Sequence, residues 1–563
     1  MAEPVPGEPR TAGARSGGAR PAAAERAVPD GRRRRLRWLR LVTLSVAVSL
    51  IMVDGTVVNV ALPTVIGDLG LTSTDAEWVN AGYMLVFAAL LLPAGRVGDV
   101  VGHRRFLAAG VTVFVAASVL AGLARGGPSL LAGRVLQGLG AALILPSAMS
   151  VLNTAFRGRD RAAAFAVWGS AIGATVAVGP VFGGWLTAAH SWRWIFAVNV
   201  PLGALVVAGA LRWLPESRDP RATLRAGAVS VLAASAGFAA LVFALIEGQR
   251  YGWWTPSRTF RIGGASWPAP GVSPIPVAAV LGACCLAVFA VTAERRRRSG
   301  RPVLLDMTLF AIPGFRVGNV AIAVVGLAEF GLVFVLPLYL QAVLSLDALH
   351  AGLVILALAV GSLAAGPVAG PATRRYGARA VVIAGLALET AGIAAVAVLL
   401  GPAISPWTLV PPLFGYGVGV GLASAQLSNV VLADVPVERS GQAAGAQNTT
   451  RLLGSALGIA VLGAALAGTL GVHLDRRLDA ASGLSHDGRR QAAASVRGSL
   501  GADIPRLAAS PATAPARTAA RSALAEATRD VTWITAALMF GGLVASLRLP
   551  RDAPRRRAPH DDG

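Results

Sequence analysis

The sequence predicts an all-α membrane protein that crosses the bilayer fourteen times. Hydrophobic residues occupy 54% of its 563 positions and charged residues only 14%, whereas a soluble domain is about a quarter charged. The apolar residues form runs of roughly 20, the length of a membrane-spanning helix. The arginines fall in short groups between these runs, as at 295–298 and 374–375. The bilayer is therefore the solvent for most of the chain.

The apolar runs and their Gly/Pro breakers place the predicted spans. They lie near 41–61, 78–95, 106–124, 130–153, 162–189, 194–211, 226–247, 275–293, 317–341, 350–370, 380–400, 408–432, 452–471 and 531–547. Glycine and proline within a span are compatible with this assignment, because neighbouring helices can satisfy the freed backbone groups.

The spans group into two halves with a linker between them. We expect a six-helix bundle at 41–211 and another at 317–547, and the second includes a long outer loop at 472–530. Parallel repeats of this kind are common in transporters. The linker 212–316 then holds two extra helices. The tails should be a disordered basic segment at 1–40 and a short segment at 548–563.

The arginines also orient the chain. With the N-terminus inside, the inner loops hold 21 arginines and the short outer loops hold five, so the positive-inside rule places both termini in the cytoplasm. The 472–530 loop carries nine arginines and must lie outside if the count is fourteen. Long loops obey the rule weakly. An uncounted or re-entrant segment there is the alternative.

Composition also excludes several classes of function. All 51 basic residues are arginine, so a Walker A loop, which needs Gly-Lys-Ser/Thr, is absent and ATP-driven transport by this chain is excluded. The adjacent Cys284 and Cys285 and six scattered histidines have no metal-ligand spacing, and we expect neither metal nor cofactor. The net charge of +22 comes from loop arginines, not from a clustered basic face, so nucleic acid is not an expected partner.

The loop between spans 2 and 3 is the strongest local motif. Residues Gly95–Arg105 read Gly-Arg-Val-Gly-Asp-Val-Val-Gly-His-Arg-Arg. Gly95, Gly98 and Gly102 allow two helices to turn closely, and Asp99 can cap a helix or pair with arginine. Arg104 and Arg105 would hold the loop at the anionic inner surface. An ordinary basic inner loop is the alternative.

A weaker copy of this motif lies between spans 10 and 11, at Gly370–Arg379. Aligning its Gly377 with Gly102 puts Arg374 where Asp99 stands. Any ion pair that acts in gating must therefore differ between the two halves.

Four charged residues fall inside predicted spans: Asp54, Arg134, Glu329 and Glu389. A charge at membrane depth costs several kcal/mol, so each should face a cavity or a partner; for Asp54, a structural pair near the helix end is the alternative. Arg134 and Gln137, at i and i+3, share one helix face, although a purely structural role remains open for Arg134.

Other polar residues are expected nearer the membrane surface. Glu247 and His350 lie at span edges and should be solvated. Asp68, Asp75 and Glu77 make the first outer loop acidic.

These motifs resemble the major facilitator superfamily. The Gly95–Arg105 loop has the form of its loop 2–3 motif, and Asp54–Pro63 looks like the signature of the fourteen-helix drug:proton antiporters. Arg134–Gly140 is similar to the proton-linked motif, and Trp192–Phe196 also matches. The span 5 residues that resemble the antiporter motif are Gly169, Gly173, Gly179, Pro180, Gly183 and Gly184.

The resemblance implies a major facilitator fold and a proton-coupled secondary exporter, not an enzyme. Its substrates would be hydrophobic or cationic small molecules such as antibiotics, dyes or antiseptics, and we expect a monomer in the bacterial plasma membrane. Asp54, Arg134, Glu329 and Glu389 would serve proton coupling or substrate binding, with Asp54 and Glu329 favoured for the proton. The loop 2–3 motif would gate, and the span 5 glycines would control opening and leak.

Two alternatives stay open. One is a dedicated self-resistance exporter of a single natural product, which the sequence does not separate from a multidrug exporter. The other is a membrane-embedded lipid-modifying enzyme, which needs an acid/base or nucleophile cluster near the interface. The scattered histidines argue against that enzyme.

Overall fold

The computed structural model describes most of the chain, and it is nearly all helical there. The described residues are 30–156, 164, 178–218, 228–262, 265–267, 271–301, 303, 305–436, 440–481 and 484–549. The predicted glycines Gly169 and Gly173 lie outside these residues, as do most of the two predicted tails.

The described residues of the first half form seven helices. They are α1 Asp30–Leu69, α2 Ser73–Val101, α3 His103–Gly122, α4 Gly127–Ala155, α5 at 178–189, α6 Trp194–Ala197 and α7 Asn199–Trp213. Thr72 caps α2 reciprocally with Asp75, because each side chain bonds the other residue's backbone N–H. Within α2 the axis bends by 52° between Leu91 and Pro93, where proline removes a backbone donor.

The linker and the second half follow in the same way. The linker holds α8 Ala228–Tyr251, a hairpin of β1 Arg261–Ile262 and β2 Ala265–Ser266, and α9 Pro274–Arg298. The second half holds α10 Pro313–Ala342, α11 Ala348–Tyr376, α12 Ala378–Leu399, α13 Val410–Ala433, α14 Ser440–Asp479, α15 His486–Gly498 and α16 Ala516–Ser546. Short 3₁₀ turns lie at Met307–Ala311, Pro406–Leu409 and Ile504–Ala509.

The helices of each half pack mainly on one another. In the first half α4 packs on α2 and α3, and α7 packs on α1 and α3; in the second, α13 packs on α11 and α12, and α16 packs on α10, α12 and α14. The halves meet where α2 contacts α14 and where α1 contacts α10 and α11. Helices α8 and α9 pack together, and α8 touches both α2 and α14. The inserted pair therefore lies beside the seam between the halves.

Over its described residues, every predicted span coincides with a helix, and the all-α membrane fold is confirmed. Among the described residues, eleven helices are long and apolar enough to cross a membrane, or twelve if the bent α2 is one span. The remaining two predicted spans correspond to α5, which borders residues outside the described part, and to the second half of α16. The count of fourteen stays a prediction.

The turn between α2 and α3 recurs between α11 and α12. Gly102 has φ 109° and Gly377 has φ 85°, and each ends one helix and begins the next. Their backbone N–H groups donate to the carbonyls of Gly98 (2.8 Å) and Thr373 (3.0 Å). Positive φ favours glycine. The sequence alignment of Gly377 with Gly102 therefore pairs two turns of similar backbone geometry.

One expectation about the ends of the bundles needs correction. Residues 30–40, expected to be disordered, form the start of α1, because an arginine-rich segment is a good helix former. The 472–530 loop contains helix α15 and a 3₁₀ turn within its described residues. There Val496, Leu500 and Ile504 are buried, and Gly501 lies against Leu524 of α16. Within 472–481 and 484–530 no additional membrane span occurs, since α15 has only 13 residues.

Candidate functional site

A buried ion pair joins α1 to α4 in the first bundle. Arg134 donates from Nη1 to Asp54 Oδ2, and each side chain is only 1% exposed. The same Nη1 donates to Gln137 Oε1 at 2.8 Å, and Nε donates to the carbonyl of Val79 at 3.0 Å. The guanidinium also lies 4.3 Å from the ring centroid of Tyr83. Arg134 thus has a partner in α1, α2 and its own helix.

The second carboxylate oxygen of Asp54 extends the network to α3 and α7. Its Oδ1 accepts from Gln137 Nε2 at 2.8 Å and from Asn199 Nδ2 at 3.3 Å. Both amides also donate to Ser118 Oγ, at 2.9 and 3.1 Å. Asp54 therefore lies in the middle of the bundle, not at a helix end, and its carboxylate accepts bonds on both oxygens.

Sequence reasoning found Asp54, Arg134 and Gln137 but missed their other partners. Ser118 is one of two hydroxyl residues in the apolar helix α3, and Tyr83 looks like core packing; neither carries a local signal. Asn199 follows the Trp192–Phe196 motif by three residues, but only the fold shows which carboxylate it reaches.

The second bundle holds a different ion pair, between Glu329 of α10 and Arg451 of α14. Arg451 Nη2 donates to Glu329 Oε2 at 3.2 Å, and the side chains are 12% (Glu329) and 42% (Arg451) exposed. From sequence, Arg451 counted among the inner-loop arginines. That placement is wrong because α14 already begins at Ser440, and Gly326 of α10 lets the Arg451 backbone approach closely.

Glu389 of α12 lies deep in the same bundle. It is 0% exposed, and neither carboxylate oxygen has a hydrogen-bond partner among the described residues. Gly419 of α13 packs against it so closely that a Cβ there would lie 2.7 Å from Glu389 Cγ. Glu389 interacts electrostatically with Glu329, Arg451 and Tyr416. The predicted acids of the second half thus belong to one cluster, which also contains Arg451.

The loop between α2 and α3 is held by acids on both sides. Asp99 pairs with His103 at 3.0 Å, and no arginine in the described part of the chain pairs with it. Glu216, which follows α7, accepts from the backbone N–H of Arg104 at 3.1 Å and lies 3.7 Å from the Arg105 guanidinium. A Cβ on Gly102 would lie 2.5 Å from Glu216 Oε1. Sequence reasoning missed Glu216, since nothing local connects it with a loop so far back in the chain.

Helix α5 lies between the two bundles, as the contacts of its described antiporter-motif residues show. A Cβ on Gly179 would overlap the Thr56 hydroxyl of α1, and one on Gly183 would lie 2.7 Å from Val57 Cγ1. On the other side, a Cβ on Gly184 would overlap the carbonyl of Ala348 at the start of α11. Pro180 presents its carbonyl to Gly352 of α11. These glycines permit backbone contact on both sides of α5.

Two acids expected near the surface are buried. Glu77 is 3% exposed in α2 and packs against Gly463 of α14; Glu247 is 8% exposed in α8 and accepts from Trp78 Nε1 at 3.0 Å. The sequence misplaced them because α2 begins at Ser73 and α8 packs on α2. His350 is exposed beside Asp347, 2.8 Å away, as expected.

Comparison with known sequences assigns the family. The sequence pattern of the Major Facilitator Superfamily matches residues 44–459, which is most of the chain. The protein belongs to the major facilitator superfamily. This assignment confirms the fold expected from the motifs, and it makes the protein a membrane transporter.

Several curated major facilitator transporters are similar along most of their length. A probable actinorhodin transporter of Streptomyces coelicolor is 32% identical, over 79% of this chain and 75% of its own. The puromycin resistance protein of Streptomyces alboniger is 33% identical, over 79% and 84%. The multidrug resistance protein Stp of Mycobacterium tuberculosis is 31% identical, over 79% of each chain.

A solved major facilitator structure supports the fold independently. A bacterial homologue of the human lysosomal transporter Spinster aligns with a TM-score of 0.59, covering 91% of this chain and 98% of that one, at 16% identity. At that identity the likeness concerns the arrangement of helices alone.

The two bundles of this facilitator are in close contact at the end that carries Asp68. Gln341 of α10 donates to the carbonyl of Val60 in α1 at 2.8 Å. Arg506, from the 472–530 loop, donates to the carbonyl of Gly67 at 2.6 Å. Together with the α5–α11 contact, these bonds close this end of the transporter.

Proposed function

We propose that this transporter exports small hydrophobic compounds across the bacterial plasma membrane in exchange for protons. The curated relatives support export, since their names describe an antibiotic transporter and two resistance proteins. The buried Asp54–Arg134 network carries the proton-coupling part of the proposal. A titratable acid at membrane depth is a functional site by default.

The network suits a proton-dependent switch. Arginine stays charged under all physiological conditions, so protonation of Asp54 would leave Arg134 without its counterion and change the contact between α1 and α4. A buried ion pair is weak evidence for added stability, and a role in switching explains its presence better. Arg134 is the fixed cation of this proposal, and Asp54 is the group that would carry the exchanged proton.

The second bundle offers Glu389 as a further proton site. Its unpartnered oxygens would make a buried charge costly. Glu329 differs, because it already has a cation partner in Arg451. We therefore propose that Asp54 and Glu389 bind the exchanged protons, and that Glu329 and Arg451 face the cavity.

The orientation expected from the arginines sets the direction of transport. With both termini in the cytoplasm, the Asp68 end is outside and closed, and the substrate would enter from the cytoplasm. Reporter fusions should give a cytoplasmic signal after Arg301 and an external signal near Ser266. An external signal at Arg301 would contradict the fourteen-span orientation.

The loop between α2 and α3 would latch one of the two conformations on the cytoplasmic side. We expect Asp99→Asn to lower the export rate about tenfold while substrate affinity stays within twofold, because it removes one charged bond worth about 1.5–3 kcal/mol far from the cavity. Initial rates in proteoliposomes at several substrate concentrations measure both quantities. Asp487→Asn, an equally conservative change at a fully exposed acid, is the control. Unchanged efflux in Asp99→Asn would show that the loop only anchors the topology.

One experiment tests the proposal as a whole. Purified protein in proteoliposomes should accumulate a hydrophobic dye when a pH gradient is imposed, and collapse of the gradient with a protonophore should abolish the accumulation. Transport that ignores the gradient would contradict proton coupling.

A further inference from the structure

Arg451 is a charged side chain inside a membrane helix that keeps much of its surface exposed. It lies in the hydrophobic segment of α14, and 42% of its side chain is accessible. Helix α14 has other helices around it, since it contacts α2, α8, α10, α13 and α16. The exposed surface therefore calls for an explanation other than a lipid-facing position.

The partners of Arg451 show the direction in which it points. Its ion pair is with Glu329 of α10, and it interacts electrostatically with Glu389 of α12 and Tyr416 of α13. All of these lie within the second bundle. Charged residues within a membrane protein face the bundle interior or a water-filled cavity. The accessible part of Arg451 is therefore expected to face a water-filled interior of the bundle.

The guanidinium has donors to spare. A guanidinium carries five N–H donors, and among the described residues Arg451 uses one side-chain bond, to Glu329. Arg134 provides the contrast, because it is 1% exposed and bonds Asp54, Gln137 and the Val79 carbonyl. Of these two arginines, only Arg451 is exposed enough to offer its donors to a ligand.

We propose that Arg451 binds an acidic group of the exported compound, such as a carboxylate or an ionised phenol. This inference rests on the proposed export function and names its substrate class. The planar fork of arginine binds carboxylate-like oxygens with two parallel bonds, which lysine cannot reproduce. Glu329 already accepts a bond from Nη2 on one side of this fork.

The relative exposure of Glu329 and Arg451 indicates whether the pair favours an anionic or a cationic ligand. Glu329 is 12% exposed and already paired, whereas Arg451 is 42% exposed. A compound that enters the cavity therefore meets a positive surface first. This preference differs from the hydrophobic or cationic substrates that the family resemblance implies.

Glu329 competes with the substrate's acidic group for the same guanidinium. Removing its charge should therefore strengthen the binding of anions. This competition is a further reason to place the exchanged proton on Asp54 and Glu389.

Two xanthene dyes of opposite charge test the inference. Fluorescein is anionic and rhodamine 6G is cationic at neutral pH, and fluorescence anisotropy measures the binding of each to the purified protein without any gradient. We expect the unsubstituted protein to bind fluorescein more tightly than rhodamine 6G. Arg451→Gln should weaken fluorescein binding at least about tenfold, the value of a lost charged hydrogen bond, and leave rhodamine 6G binding unchanged or tighter. Arg451→Lys should fall between the two proteins.

Two further variants show whether a change in dye binding is specific to the Arg451–Glu329 pair. Arg476→Gln removes an exposed arginine of the same helix and should leave both affinities within twofold. Glu329→Gln should tighten fluorescein binding, and it remains informative even if Arg451→Gln fails to fold.

The inference is overturned by a preference for rhodamine 6G in the unsubstituted protein, by binding of neither dye, or by equal losses of both dyes in Arg451→Gln. Unchanged or weaker fluorescein binding in Glu329→Gln would also overturn it. A protein that binds fluorescein as expected but does not accumulate it under a pH gradient would contradict the proposed export function alone.

Discussion

Asp54→Asn should abolish proton-driven export, with transport falling to the level of protein-free liposomes. Asparagine keeps the shape of the side chain but cannot be ionised. Arg134 therefore loses its counterion, and the group that would carry the proton is lost at the same time. Removing one partner of a buried pair costs about 3–5 kcal/mol. Dye accumulation in proteoliposomes under an imposed pH gradient measures the loss.

A companion variant separates coupling from folding. Asp54→Asn combined with Arg134→Gln leaves neither member of this pair as an unpaired charge, so the double variant should recover thermal stability but not proton-driven export. Asp68→Asn, on the same helix, removes an exposed acid whose ion pair contributes at most about 1 kcal/mol, and it should transport normally. Full proton-driven transport by the single or the double variant would remove Asp54 from the mechanism.

Gly352→Ala should have the second large effect, by preventing closure of the outer end. The added Cβ would overlap the carbonyl of Pro180 in α5, and overpacking of this kind costs about 1–3 kcal/mol. That energy shifts the balance between the closed and open outer end by about 5- to 150-fold. Export should fall because the outer gate no longer seals.

Labelling measures this gate directly. Cys284 and Cys285 are replaced by alanine, and Val60, which is 1% exposed at the closed end, is replaced by cysteine. An impermeant maleimide added outside should label this cysteine faster in the Gly352→Ala background. Gly366→Ala is the matched control on α11, since nothing lies within 4 Å of a Cβ there. Equal labelling in the two backgrounds would show that the α5–α11 contact does not control the gate.

The sequence predicts the fold well because each membrane helix can be recognised from its own stretch of sequence. A hydrophobic run of the right length is visible without any tertiary information, and the same holds for the glycine turns at Gly102 and Gly377. Helix ends are less visible. Glu77 and Arg451 were both placed in loops because polar residues at a span edge look like loop residues, although they lie in the continuing helices α2 and α14.

The candidate site is only half visible in the sequence, for a physical reason. A charged residue in an apolar span is conspicuous, so Asp54, Arg134, Glu329 and Glu389 stand out. Their partners are decided by which helices pack together, over separations of 122 residues for Glu329 and Arg451 and 80 for Asp54 and Arg134. The sign of the cavity's charge follows from one such pairing, and no local pattern predicts it.

The role of the buried network is tested most directly by proton flux. Addition of substrate to proteoliposomes that contain the protein and an internal pH-sensitive dye should start proton movement opposite to the substrate, and Asp54→Asn should stop it while Asp68→Asn does not. Substrate movement without proton movement, or equal proton movement in Asp54→Asn, would contradict an exporter coupled through the Asp54–Arg134 pair.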